Sequence, residues 1–138
     1  MIGSEYAAGF FDGEGTIWIA LSKTDGWRFR AVVSQNDVTP LKMLQARWGG
    51  WIKAEYRPQG IHWRWGLNRK QLVLQFLSDI RPFLIVKAEA ADVMIEFISA
   101  VLPPEINGRR GMGIAERGRR IRLMKKLKAI TARRGRAA

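Results

Sequence analysis

The chain has 138 residues, 47% of them hydrophobic, which suits one globular domain with a proper core and excludes a disordered chain. It has no cysteine, which excludes a disulfide framework or thiolate metal site and fits a reducing compartment. The net charge of +12 is uneven: residues 1–108 carry 12 Lys+Arg against 11 Asp+Glu, and residues 109–138 carry 12 against one. The second segment suits phosphate neutralisation, with an anionic membrane surface as a rival partner.

Ser4 is the expected N-cap of a first helix, with Glu5 in its first turn. Gly9 and Gly13 lie four apart, beside Ala8, on a face where two helix backbones can approach closely. Asp12 and Glu14 fall at the C-terminal turn, where unpaired carbonyls already carry negative partial charge, so the pair needs a cation to offset it. A strand follows at once: Ile17, Ile19 and Leu21 share one face, and Thr16, Trp18, Ala20 and Ser22 the other. Asp25-Gly26 marks a hairpin turn, just after Lys23. The returning strand sets Trp27, Phe29, Ala31 and Val33 against Arg28, Arg30, Val32 and Ser34.

Thr39-Pro40 announces a second helix with Leu41, Leu44 and Trp48 inward, ended by Gly49-Gly50. The second hairpin places Ile52, Ala54 and Tyr56 inward and Lys53, Glu55 and Arg57 outward. After Pro58-Gln59-Gly60, Ile61, Trp63, Trp65 and Leu67 face the core, leaving His62, Arg64, Gly66 and Asn68 exposed. The outer face thus gathers Arg28, Arg30, Lys53, Arg57 and Arg64 against a lone Glu55, as a ribbon reading a DNA major groove would. A third helix runs over 70–77, a long buried one from Phe83 to Leu102, and a basic amphipathic one near Ile114–Ile130 with Ile121, Met124, Leu127 and Ile130 as its apolar side. Residues after Thr131 read as a disordered tail.

The stretch Ala7-Ala8-Gly9-Phe10-Phe11-Asp12-Gly13-Glu14-Gly15 resembles the LAGLIDADG motif of homing endonucleases. The resemblance covers residues 4 to about 104, and 81–87 running into 91–103 is similar to the family's third conserved region. It implies an α+β fold with an α-β-β-α-β-β-α core, an antiparallel saddle-like sheet for DNA and extra C-terminal helices. Residues 1–107 then form the endonuclease core, and 108–138 a basic helix and tail of the same domain.

The resemblance also implies a homing endonuclease that hydrolyses both strands of a long, nearly palindromic DNA site across the minor groove, leaving short 3′ overhangs. A mobile intron is its expected genetic home. Single-motif members act as homodimers, and the Gly9/Gly13 face has no partner helix within this chain, so Ala8, Gly9, Asp12 and Gly13 are assigned to a two-fold seam. Glu14 and the Gly13 carbonyl suit Mg²⁺, with Mn²⁺ or Ca²⁺ able to occupy the same place. Lys87 matches an active-site lysine of the family and Gln35 a site glutamine, to stabilise charge and position water. The family often has a basic residue one turn after Gln35, and Asp37, Val38 and Thr39 offer none. Thr16, Trp18, Ser22, Lys23, Arg28, Arg30, Ser34, Lys53, Glu55, Arg57, His62, Arg64 and Asn68 are the expected DNA-binding set.

The same fold also serves RNA-splicing maturases and non-cleaving DNA-binding regulators, which stand as alternatives. The retained Glu14, Gln35 and Lys87 favour the nuclease. His62 is the only histidine, so a histidine-based metal centre or triad has no second member. No apolar run is long enough to span a bilayer, and no secretory signal is expected, so an intracellular protein acting on DNA is the expectation.

Overall fold

Helix α1 (Ser4–Glu14) passes directly into strand β1 (Gly15–Ser22), with no loop between them. The computed structural model describes residues 1–22, 26–99 and 113–137, and the side chains of Ser22 and of 134–137 lie outside that description. After β1 come β2 (Gly26–Gln35), α2 (Thr39–Trp48), β3 (Trp51–Arg57), β4 (Gly60–Leu67) and α3 (Lys70–Ile80). A 3-10 turn over Arg81–Phe83, then α4 (Ala88–Ser99) and α5 (Ile114–Ala137), complete the described order. The architecture is α+β, as expected. The four strands form one antiparallel sheet in the order β1-β2-β4-β3, so the two hairpins meet through β2 and β4.

Period-two alternation produces a sheet with one covered face. Ile17, Ile19, Ala31, Val33, Trp65 and Leu67 are buried, in one cluster with Phe11, Leu41, Trp48, Phe76 and Met94 from the helices. Phe76 is the hinge of this packing, meeting Phe11, Trp48 and Trp65 edge-on at centroid distances of 5.4, 4.9 and 5.1 Å. Gly50 adopts φ +90°, and a Cβ there would fall 2.4 Å from the Gly66 carbonyl, so only glycine fits where α2 turns into β3.

Several expectations need correction. Ser4 is the first helical residue and Gly3 the N-cap, with no side-chain cap bond. Leu21 is exposed at the end of β1, and Ala54, Tyr56 and Ile61 are exposed because alternation selects a face while no described residue covers that face at the far end of the second hairpin. Gly66 and Val32, assigned outward, are buried: the Trp51 ring lies over Gly66, where a Cβ would come within 2.3 Å of it. Helix α3 continues past Leu77 because Ile80 is a core residue and Asp79 accepts the Trp48 indole N–H at 2.9 Å.

The long helix begins at Ala88 and not at Phe83. Residues 84–87 bridge the 3-10 turn and α4, and the Asp12 carboxylate captures the Ile85 and Lys87 N–H groups there. Leu102, the expected end of that helix, and the residues after it up to 112 lie outside the described residues, as do Lys23 and Asp25. Helix α5 runs to Ala137 where a tail was expected. Leu123, Leu127 and Ile130 bury against the core, Ile121 is only half-buried, and Arg133 reaches Glu89 of α4 at 3.4 Å. Helix α5 lies antiparallel to α4, since Arg119 near its start donates to the Glu96 and Phe97 carbonyls at the end of α4.

Candidate active site and nucleic-acid interface

The site is built where α1 becomes β1. Gly15 caps the helix by donating its N–H to the Phe11 carbonyl, and it can sit there because it has no Cβ: one would fall 2.4 Å from the buried Phe11 ring. Glu14, the last helical residue, is exposed. Asp12 faces the other way. Its Oδ2 accepts the Ile85 N–H at 2.8 Å and its Oδ1 the Lys87 N–H at 3.0 Å. Burial raises the Asp12 carboxyl, but the backbone donors of Ile85, Lys87 and Val86 and the Lys87 charge outweigh it, leaving the pKa below its ordinary 3.8.

Lys87 is the one buried charged residue among those described, and its ammonium donates to the Asp12 backbone carbonyl. The cation therefore sits against the negative end of α1, the offset that two acids at a helix C-terminus require. Register places Gln35 at the same corner: Gly15 pairs with Val33, and Gln35 lies two residues beyond on the strand end that α1 approaches. The Gln35 Oε1 accepts the Asn36 N–H at 2.8 Å, and Asn36 Oδ1 meets His62 Nδ1 at 2.8 Å. Three residues far apart in sequence, Glu14, Gln35 and Lys87, thus share one end of the sheet. Asn36, which reads in the sequence only as part of the signal for the second helix, ties His62 to that end.

Of the seam residues, Ala8 is fully buried in its own chain, whereas Gly9 and Gly13 are exposed with nothing within 4 Å of an added Cβ. Around them lie Tyr6, 59% exposed, and Ile85 and Val86, 84% and 55% exposed on the segment that Asp12 holds. These two aliphatic residues were expected inside a helix. Their exposure depends on a long-range carboxylate that no local pattern signals.

The outer sheet face carries the expected basic set. Thr16, Trp18, Arg28, Lys53, Arg57 and Asn68 are exposed, and Arg30, Ser34, Glu55, His62 and Arg64 are half-exposed. Arg30 pairs with Trp18 across the strands and lies 5.0 Å from its ring, and Arg57 donates to Glu55 at 2.8 Å. Thr16, Val32, Gly66 and Trp51 are successive partners across all four strands, and Ser34, Arg64 and Lys53 form the adjacent row. Trp51 is an outer-face residue that sequence reasoning missed; its strand parity and the facing Gly66 were the available signals. Among the described residues no three acid or histidine side chains cluster as a metal cage. One exposed carboxylate beside helix-end carbonyls instead fits Mg²⁺, which keeps waters and takes one or two carboxylates with substrate phosphates.

No protein-family model matches the chain, and no curated protein does. Solved structures do. An archaeal intron-encoded homing endonuclease, I-Vdi141I, complexed with DNA, superposes with a TM-score of 0.76 at 17% identity, over 92% of this chain and 82% of that one. The homing endonuclease I-TnaI matches with a TM-score of 0.66 at 16% identity, over 96% and 97% of the two chains. The LAGLIDADG homing endonuclease I-GzeII, in complex with its DNA target, matches at 0.66 and 16% over 94% of this chain but 44% of its own. The chain has the fold of the LAGLIDADG homing endonucleases, as its first helix led us to expect.

Proposed function

We propose that the protein is a homodimeric, divalent-metal-dependent endonuclease that cuts both strands of a long, nearly palindromic DNA site. The observation that carries this reading is the corner at Glu14: an exposed carboxylate at the end of α1, where the basic sheet face begins, with buried Lys87 bonded to the same helix end. A protein that only bound DNA has no use for an acid placed beside phosphates. A solved neighbour of the fold, the homing endonuclease I-CvuI, was crystallised on DNA with Ca and, with the DNA uncleaved, with Mg, which supports use of a divalent metal here.

In this reading Glu14 and the Gly13 carbonyl hold Mg²⁺, while Asp12, with both oxygens engaged by backbone N–H groups, stays structural. A cation held there would make a bound water more acidic and stabilise charge at the scissile phosphate. Gln35 orients the attacking water, and Lys87 adds positive potential at the corner from its anchored position. Water attacks phosphorus and the bond to the 3′ oxygen breaks on each strand in turn. The exposed Gly9/Gly13 ridge, with Tyr6, Ile85 and Val86 beside it, packs on its two-fold copy and brings two Glu14 carboxylates to the axis, one per strand. The basic sheet faces of the two copies then lie along the grooves on either side.

Incubating the protein with a randomised duplex library, with Mg²⁺ or with chelator, tests this. Metal-dependent double-strand cuts at one enriched, near-palindromic site are expected. Retention of a site without cutting under any divalent metal would instead indicate a regulator.

A further inference from the structure

Helix α5 carries more positive charge than its packing uses. Three of its arginines have structural tasks: Arg119 donates to the Glu96 and Phe97 carbonyls and to Glu116, Arg120 donates to Glu116, and Arg133 reaches Glu89. Lys126 lies near Asp92 and helps hold that carboxyl low, after the larger effect of Arg81. Four cations remain among the described side chains of the helix. Arg117, Arg122, Lys125 and Lys128 are all exposed, and none has a hydrogen-bond or ion-pair partner among the described residues.

These four fall on one half of the helix, opposite Leu123, Leu127 and Ile130. The only acid of α5, Glu116, is already engaged by Arg119 and Arg120. Arg122, Lys125 and Lys128 follow one another at three-residue intervals, a like-charge spacing that destabilises an isolated helix. From Arg117 to Lys128 the row covers about 16 Å of helix, comparable with about five base-pair rises along the axis of a DNA duplex. Its position adds to this: α5 packs on α4 and touches β1, one of the two edge strands of the sheet. The row therefore flanks the sheet on its β1 side, on a separate element.

We propose that the exposed side of α5, through Arg117, Arg122, Lys125 and Lys128, is a second phosphate-binding surface that holds duplex DNA without regard to sequence. It rests on the DNA-binding reading above but not on cleavage. Its contribution is affinity and capture from non-specific duplex, while sequence discrimination belongs to the sheet face.

The test replaces all four by glutamine (Arg117→Gln, Arg122→Gln, Lys125→Gln, Lys128→Gln), which keeps helix propensity at exposed positions. Binding of the full chain to a random-sequence DNA duplex is measured by fluorescence anisotropy over a salt series, with a hairpin RNA in parallel. The slope of log affinity against log salt should become shallower by about 2 to 4, since each lost phosphate contact removes about 0.9. The melting temperature and the sequence preference in site selection should stay as in wild type. An unchanged DNA slope would overturn the proposal, and so would loss confined to RNA, which would assign the surface to RNA. Absence of cleavage in wild type, with the slope difference present, removes the nuclease reading and leaves this one standing.

Discussion

Lys87 holds Asp12 at two points: its backbone N–H donates to Asp12 Oδ1 at 3.0 Å, and its ammonium donates to the Asp12 carbonyl. A buried cation is thereby fixed against the C-terminal end of α1, at a carbonyl two residues before Glu14. Lys87→Met keeps the stem and removes the charge, leaving a helix-end carbonyl without that donor. The loss should be about 1.5–3 kcal/mol of stability, as for hydrogen bonds to charged groups. A fall in the urea midpoint with an unchanged m-value checks it. Cleavage should also weaken at concentrations and temperatures where the variant is fully folded.

Asp12 makes stability pH-dependent in a definite sense. Its folded pKa lies below the unfolded value of 3.8, so its contribution is complete above that value and disappears as pH falls through the folded pKa. Asp12→Asn should therefore be less stable than wild type near neutrality and approach it in acid. Urea unfolding from about pH 7 down to about pH 2 measures the convergence. Parallel curves would show that Asp12 is not the group responsible.

Gly13 and Gly15 sit two residues apart and should respond in opposite ways. A Cβ on Gly13 meets nothing, so Gly13→Ala should raise protomer stability by up to about 1 kcal/mol through helix propensity. The same methyl lies on the proposed seam and should weaken the dimer. A Cβ on Gly15 meets the buried Phe11 ring, so Gly15→Ala should cost about 1–3 kcal/mol from overpacking. Thermal melts and sedimentation velocity separate the two effects. A Gly13→Ala protein with undiminished self-association would remove the ridge from the interface.

Arg64 stands between Ser34 and Lys53 in one row of the outer face. Arg64→Gln should reduce the salt dependence of binding by about 1 if it meets a phosphate, or relax preference at one position of the half-site if it meets a base. Repeating the site selection with the variant distinguishes these.

The sheet and its inner face are legible in the sequence because a half-covered antiparallel sheet imposes a period of two. Ile17, Ile19, Ala31, Val33, Trp65 and Leu67 are buried accordingly. Alternation assigns a face but not a cover, which is why Tyr56 and Ile61 are exposed. The site corner is legible for a related reason: the helix-to-strand boundary at Glu14 is local, with glycines on both sides. The segment 84–87 is not, because the carboxylate that captures its N–H groups lies 73 residues from Ile85 in sequence. Trp51 over Gly66 depends on the register of two strands, and the length of α5 on Ile130 and Arg133 finding α4 and the core. Charge alone made its last turns resemble a solvated tail.

The most direct measurement of the central claim compares wild type with Glu14→Gln on the duplex site enriched by cleavage selection, following both binding and double-strand cutting in Mg²⁺ and in chelator. Glu14 is exposed and makes no described hydrogen bond, so the variant should fold and bind as wild type does. Cutting should be metal-dependent in wild type and fall at least about a hundredfold in the variant. Undiminished cutting by Glu14→Gln, or cutting that persists in chelator, would contradict the assignment of this corner as the metal-dependent active site.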